Sequence, residues 1–300
     1  MRDGATVGEA LVRGRDRLRA FGDDGRFDAL RLLEELLGRN AAWLFAHADE
    51  RLGGDVAARY DAVLSRRATG MPVAYIVGFA GFYGREFAVT PDVLVPRPES
   101  EGVVELALAS LQAHMARGDE PVRICDVGTG SGILAITLAC TLPAARVTAS
   151  DVSPAALAVA RANAERHGVE GRVRFACGDM WEALDPDERY DCIVANLPYV
   201  CRGDLKTAPD ATAFEPALAR DGGWDGLELY RTLLAGAAQR LRPGGTLVME
   251  AGPDTAGPLA ALAEASFAPP AAIVVHRDLS LHDRIVAVHT ALGGQALRQG

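Results

Sequence analysis

Three glycines at alternate positions, Gly128-Thr129-Gly130-Ser131-Gly132, follow the apolar run Val122-Arg123-Ile124-Cys125-Asp126-Val127 and lead into a second apolar run from Ile133. Glycine lacks the Cβ atom that keeps a ligand away from the backbone, so a strand passing through this loop into a helix can bring main-chain groups close to a bound molecule. Asp151 ends the next short apolar segment, about 20 residues on, where a carboxylate in such folds grips ribose hydroxyls. Gly178-Asp179 follow the third segment and offer a carboxylate to an adenine amino group. One such acid alone is usually a solvated loop residue or a helix cap. Asp126, Asp151 and Asp179 at successive strand ends favour a nucleotide-like ligand.

The spacing selects among such ligands. The sixth position of a dinucleotide G-x-G-x-x-G fingerprint is Ile133 rather than glycine, and no lysine stands nearby for a phosphate loop. G-x-G-x-G with Asp126 two residues ahead suits S-adenosyl-L-methionine. That molecule has no phosphate, and its methionine end carries an amino group for acidic and carbonyl acceptors.

A fourth apolar segment, Tyr190-Asp191-Cys192-Ile193-Val194-Ala195, ends in Asn196-Leu197-Pro198-Tyr199. These residue types suit transfer to a planar nitrogen. The lone pair of an amide or exocyclic amine is delocalised and weakly nucleophilic. The Asn196 side-chain oxygen and the Leu197 carbonyl can accept both N–H groups, aim the nitrogen and favour the charge that builds as it attacks. The Tyr199 ring can stack on the planar group. Leu197 precedes Pro198, which biases it towards an extended backbone. The plain alternative is a strand-to-turn signal, since Asn and Pro are common in turns. The position after the fourth strand of a glycine-loop fold favours the chemical reading.

These groups need a scaffold that brings them together. The pattern from residue 121 alternates strands, expected over 122–127, 146–150, 173–176, 192–195, 245–250, 272–276 and 285–289, with helices over 132–140, 154–167, 227–241 and 257–265. That alternation predicts an α/β fold, a doubly wound, mostly parallel, Rossmann-like sheet covered on both faces. Residues 1–70 show apolar positions at helical spacing and predict a small all-α N-terminal domain. Residues 71–92 predict a linking β-hairpin, its arms at Met71–Gly78 and Phe82–Val89, and 93–300 the main domain. Within the latter, 93–97 reads as extended between prolines, 99–115 as a helix and 293–300 as a frayed tail.

Composition bounds the partners. The 300 residues are 49% hydrophobic and 24% charged, with a net charge of −9. Residues 1–70 balance 12 arginines against 12 acids, so all of that charge lies beyond them. An acidic main domain without a basic stripe argues against direct nucleic-acid or anionic-membrane binding. No apolar run approaches the roughly 20 residues of a membrane span, and no signal-like stretch follows Met1, so a cytoplasmic location is expected. Five cysteines without a C-x-x-C pair argue against a zinc site, and no metal is expected; Cys125 and Cys192 read as small core residues. Trp181 and Trp224 read as partly buried anchors.

The Asn-Leu-Pro-Tyr motif resembles that of class I S-adenosylmethionine-dependent methyltransferases acting on planar nitrogen. Over nearly its full length the chain resembles the release factor glutamine methyltransferases (the PrmC/HemK family). The matching stretches are Pro72-Val73-Ala74-Tyr75-Ile76-Val77-Gly78 with Phe82, Val93-Leu94-Val95-Pro96-Arg97-Pro98-Glu99-Ser100-Glu101, and Asp126 to Gly132. Phe214-Glu215-Pro216, Asp225-Gly226-Leu227-Glu228-Leu229-Tyr230-Arg231 and Leu241-Arg242-Pro243-Gly244-Gly245 complete them.

The resemblance implies methyl transfer to the glutamine of the Gly-Gly-Gln motif in peptide chain release factors, giving N5-methylglutamine, with the N-terminal bundle recognising the substrate. It implies that Gly128, Thr129, Gly130, Ser131, Gly132, Asp151, Asp179, Met180 and Asn196 bind the cofactor. It also implies that Asn196, Leu197, Pro198 and Tyr199 hold the reacting amide, with Arg97 and Glu99 walling the site and Glu215-Pro216 nearby. The chain departs from the family pattern at Leu197, where proline is usual, and at Met180, where some members have tryptophan. Ala251-Gly252-Pro253 replaces an Ile-Gly pair with a nearby Gln, and Leu281 replaces a glycine. Competing readings are a ribosomal-protein glutamine methyltransferase, an adenine-N6 nucleic-acid methyltransferase, whose flipped base presents a similar edge, and a cofactor-binding module without catalysis.

Overall fold

The computed structural model describes residues 5–115, 121–206 and 211–291. The expected C-terminal tail, 293–300, lies outside them. The chain divides into two compact units, Met1–Phe79 with Lys206–Phe214, and Ala80–Leu205 with Glu215–Gly300.

The first unit is helical: α1 Val7–Arg17, α2 Gly22–Leu37, α3 Ala41–Ala46, α4 Gly54–Ala68 and α5 Val73–Val77. Thr6 and Glu9 form a capping box that satisfies backbone N–H groups at the start of α1. The apolar stripes meet in a core of Leu18, Leu32, Leu33, Leu44, Tyr60 and Leu64. At its centre the Tyr60 hydroxyl donates to the Ala29 carbonyl at 2.9 Å. Gly14 makes room for that ring, because a Cβ there would lie 2.2 Å from the hydroxyl oxygen.

One expectation is corrected here. Met71–Gly78 is not a hairpin arm: Val73–Val77 is the one-turn-plus helix α5, with Pro72 as its N-cap and Gly78 as a left-handed C-cap at φ 89°. The Pro and Gly that looked like strand boundaries instead start and stop a helix. The hairpin is β1 Phe79–Phe82 with β2 Arg85–Ala88. Its two-residue turn, Tyr83-Gly84, has φ 49° and 69°, as a tight hairpin turn requires.

The second unit continues with α6 Glu101–Met115, β3 Arg123–Val127, α7 Ile133–Thr141, β4 Arg146–Asp151, α8 Pro154–Arg166, β5 Val173–Cys177, β6 Tyr190–Ala195, α9 Glu228–Arg240, β7 Leu241–Glu250, α10 Ala256–Ser266, β8 Ala272–Arg277 and β9 Asp283–His289. The sheet order is β5-β4-β3-β6-β7-β9-β8. Its first five strands are parallel, and β9 runs antiparallel to both β7 and β8. Neighbouring residues of β3 and β6 feed opposite faces: Ile124, Cys192 and Val194 join one core with α6, α7 and α8, while Cys125 and Ile193 join the other with α9 and α10. Both faces are therefore covered, as the near-continuous apolar strands predict. From β3 the sheet grows one way through β4 and the other through β6. The crevice at the carboxyl ends of these strands is where such sheets bind ligands.

Candidate active site

The glycine loop sits at that crevice. Gly128, Gly130 and Gly132 have φ of 76°, 56° and 84°, a region that side chains rarely adopt. A Cβ on Gly128 would lie 2.7 Å from Leu197 Cδ2, whereas one on Gly130 would meet nothing within 4 Å. The loop is fastened from the next strand: Gly128 and Thr129 N–H both donate to the Ser150 carbonyl at 2.9 Å. Asp151 accepts from Gly130 N–H at 2.9 Å through one oxygen and from Ser153 N–H at 2.9 Å through the other. Its main-chain carbonyl accepts from Gly178 N–H at 3.1 Å. One aspartate thus ties three strand-end loops together, and its carboxylate keeps lone pairs for hydroxyl donors. Burial pushes its carboxyl above the usual range.

The pocket is lined by Gly128, Gly130, Asp151, Asp179, Met180, Asn196, Leu197 and Pro198. Asp92, Val93, Leu94, Pro216, Leu218, Ala219 and Leu229 also contribute to the wall. Met180 is buried with φ 45° and supplies an apolar face. Thr129, Ser131 and Gly132 do not line the pocket. The Thr129 hydroxyl donates to Asp126 at 2.6 Å, the Ser131 carbonyl accepts from Asn163, and Gly132 caps α7. Asp126 is buried beneath the loop, where it also accepts from Ala135 N–H at 3.1 Å. Burial raises its carboxyl to about 7. It braces the loop from below.

The Asn196 segment is held differently. Asn196 Nδ2 donates to Ser100 Oγ at 3.0 Å, and Ser100 Oγ donates to Glu250 Oε2 at 2.5 Å. The Tyr199 hydroxyl lies 3.4 Å from Glu250 Oε1, and its ring borders Gly252, where a Cβ would approach it to 3.2 Å. Tyr230, fully buried on α9, places its hydroxyl 3.0 Å from the Leu197 carbonyl and 2.5 Å from that of Glu250. Burial drives the Glu250 carboxyl and the Tyr230 hydroxyl upward and raises Tyr199 to about 12. No local sequence pattern gives a separate role to Ser100, Tyr230 or Glu250, although the first two fall in stretches that carry the family resemblance.

Neither Arg97 nor Glu99, both expected to wall the site, lines the pocket. Arg97 makes a two-pronged pair with the buried Glu215 at 2.7 and 2.8 Å, and Glu215 also accepts from Val95 N–H at 3.2 Å. Glu99 is exposed and is absent from the pocket wall. Trp224 is also exposed, at 76%, which corrects its reading as a partly buried anchor: it sits in a glycine turn, with the Arg202 guanidinium over its ring. Trp181 does anchor, donating from Nε1 to carbonyls of α9.

Residues 9–78 match the family model described as the PrmC N-terminal domain, and residues 124–215 the one described as a methyltransferase domain. The chain is 44% identical over 231 residues to the release factor glutamine methyltransferase of Bordetella pertussis, covering 77% of this chain and 83% of that one. It is 42% identical over 282 residues to the release factor glutamine methyltransferase of Cereibacter sphaeroides, covering 93% and 96%. The chain belongs to the release factor glutamine methyltransferase family.

A methyltransferase from Pyrococcus furiosus shares the fold, with TM-score 0.50 and 17% identity over 78% of this chain and 99% of that one. As a member of the release factor glutamine methyltransferase family, the chain replaces the usual proline with Leu197. Its side chain is buried beside Gly128, and its carbonyl lies 3.0 Å from the Tyr230 hydroxyl. Leu281, where this family has glycine, has φ 64° and is 73% exposed: the turn keeps the shape that glycine favours. Among the described residues, no helix is long and apolar enough to cross a membrane, and no group of three or more His, Cys, Asp or Glu could hold a metal ion.

Proposed function

We propose that this protein transfers the methyl group of S-adenosyl-L-methionine to the side-chain amide nitrogen of the Gly-Gly-Gln glutamine in peptide chain release factors, giving N5-methylglutamine and S-adenosylhomocysteine. The observation that carries the reading is one pocket bordered by both a Cβ-free loop and Asn196-Leu197-Pro198, with Tyr199 next in the chain and the two acceptors contacted from behind. The open space at Gly130 and the carboxylates of Asp151 and Asp179 fit a ligand with ribose hydroxyls and an adenine amino group, and Met180 offers the ring an apolar face. When bound, the cofactor supplies an electrophilic methyl carbon on a sulfonium.

The chain's own residues do the rest. Asn196 Oδ1 and the Leu197 carbonyl accept the two amide N–H groups and fix the nitrogen's direction of approach. As the N–C bond forms, positive charge grows on the nitrogen, and both oxygens stabilise it. Transfer would leave the bonding electron pair on the cofactor's sulfur, and the surplus N–H proton would pass to water. Pro198 keeps the segment extended, and the Tyr199 ring flanks the planar amide. The helical N-terminal unit recognises the release factor, with the hairpin as the link. In a test with labelled cofactor, purified protein is offered a release factor, ribosomal proteins, DNA and RNA. Label on the release factor alone is expected; label confined to nucleic acid or ribosomal protein would overturn the substrate assignment.

A further inference from the structure

We propose that Ser100 and Glu250 are positioning residues that set which end of the Asn196 carboxamide meets the substrate. The inference rests on the function proposed above and adds two residues to its machinery. Ser100 is fully buried, Glu250 is 1% exposed, and both stand behind Asn196, which lines the pocket.

The direction of the chain follows from counting protons. An ionised carboxylate only accepts hydrogen bonds. Ser100 has one hydroxyl proton and commits it to Glu250 Oε2 at 2.5 Å. Its oxygen then only accepts, and it takes the Asn196 Nδ2 proton at 3.0 Å. The amide nitrogen is thereby turned towards Ser100, and Oδ1 is left as the acceptor for the substrate N–H. A neutral Glu250 reverses the chain: it can donate to Ser100, Ser100 can donate to Asn196 Oδ1, and Nδ2 then turns to the pocket. There it would oppose the substrate N–H instead of accepting it. The relay thus converts a charge on Glu250 into the polarity of the catalytic amide.

The groups around Glu250 shape that charge. Ser100 and Tyr199 supply hydroxyls, Arg284 favours the ionised form, Glu99 opposes it, and the Tyr230 hydroxyl caps the Glu250 main-chain carbonyl. Burial dominates and moves the carboxyl above its ordinary range. The active, ionised state is therefore lost on acidification earlier than for an exposed glutamate.

The test measures kcat and KM for release-factor methylation, with cofactor Kd, in wild type and in Ser100→Ala, Ser100→Thr and Glu250→Gln, from mildly acid to mildly alkaline pH. Wild-type kcat is expected to fall on the acid side with a one-proton limb. Ser100→Ala is expected to lower kcat about 10–100-fold at neutral pH, with KM and cofactor Kd within about twofold. Ser100→Thr should restore most of that loss, and Glu250→Gln should lose the acid limb. Unchanged kcat in Ser100→Ala, or an intact limb in Glu250→Gln, would overturn the inference. If Glu250→Gln fails to fold, the alanine and threonine pair decides. An inactive wild type would instead overturn the functional reading.

Discussion

Two segments meet at the pocket and are built on different plans. The glycine loop is fastened by near neighbours in the fold, the Ser150 carbonyl and the Asp151 carboxylate on the adjacent strand, and its bonds run to main-chain N–H groups. The Asn196 segment is fastened by side chains far away in sequence: Ser100 before α6, Tyr230 on α9 and Glu250 at the end of β7. The first arrangement shapes space and tolerates variation in most side chains. The second fixes hydrogen-bond direction, which only particular side chains can do. On the proposed function, binding and chemistry are thereby divided between backbone and side-chain architecture.

Substitutions should separate the two halves. Asn196→Ala should cut turnover by about 10²–10³-fold while leaving cofactor affinity within about twofold, by analogy with removal of one preorganised donor or acceptor. Steady-state kinetics with calorimetric titration checks this, and a parallel loss of cofactor binding would blur the division. Gly128→Val should strike the binding side directly. Its Cβ would need φ 76° and would meet Leu197 Cδ2 at 2.7 Å, so cofactor affinity should fall by about tenfold or more. Unchanged affinity would mean that the backbone does not shape that end.

The brace under the loop predicts a pH effect. The Asp126 carboxyl, raised from 3.8 to about 7 by burial, holds its proton in the folded chain over a range where the unfolded chain has released it. Its contribution therefore favours folding at acid pH and is lost as pH rises through about 7. Asp126→Asn should flatten the rise in denaturation midpoint between neutral and mildly acid pH; an unaltered slope would contradict the assignment. The smallest effect is expected at Leu281. Replacing it with glycine should relieve the left-handed strain at φ 64°, less the greater freedom of the unfolded chain, for a net gain of about 0.5–1 kcal/mol, with catalysis unchanged. A loss of stability in chemical denaturation would refute that reading.

Features carried by consecutive residues were legible in the sequence. That Gly128, Gly130, Asp151 and Asn196 fall at strand ends facing one pocket could be read because a strand, its loop and the next helix are contiguous and their periodicities differ. Leu281 could be marked as standing in for glycine before its φ was known. Met71–Gly78 misled because a short apolar run between Pro and Gly suits a strand or a helix equally, and only packing decides. Ser100 and Glu250 were illegible as a relay because 150 residues separate them, and no local pattern marks a serine that must accept from one side and donate to the other. Thr129 and Ser131 share the motif with the glycines, yet both are buried and neither lines the pocket, a placement that motif spacing does not encode.

The central claim concerns one nitrogen atom. Tandem mass spectrometry of a release factor incubated with this protein and S-adenosyl-L-methionine locates the added methyl group. The account predicts a single methyl on the side-chain amide of the Gly-Gly-Gln glutamine, absent with Asn196→Ala. A methyl found on any other residue, or formed equally well by the Asn196→Ala variant, would contradict it.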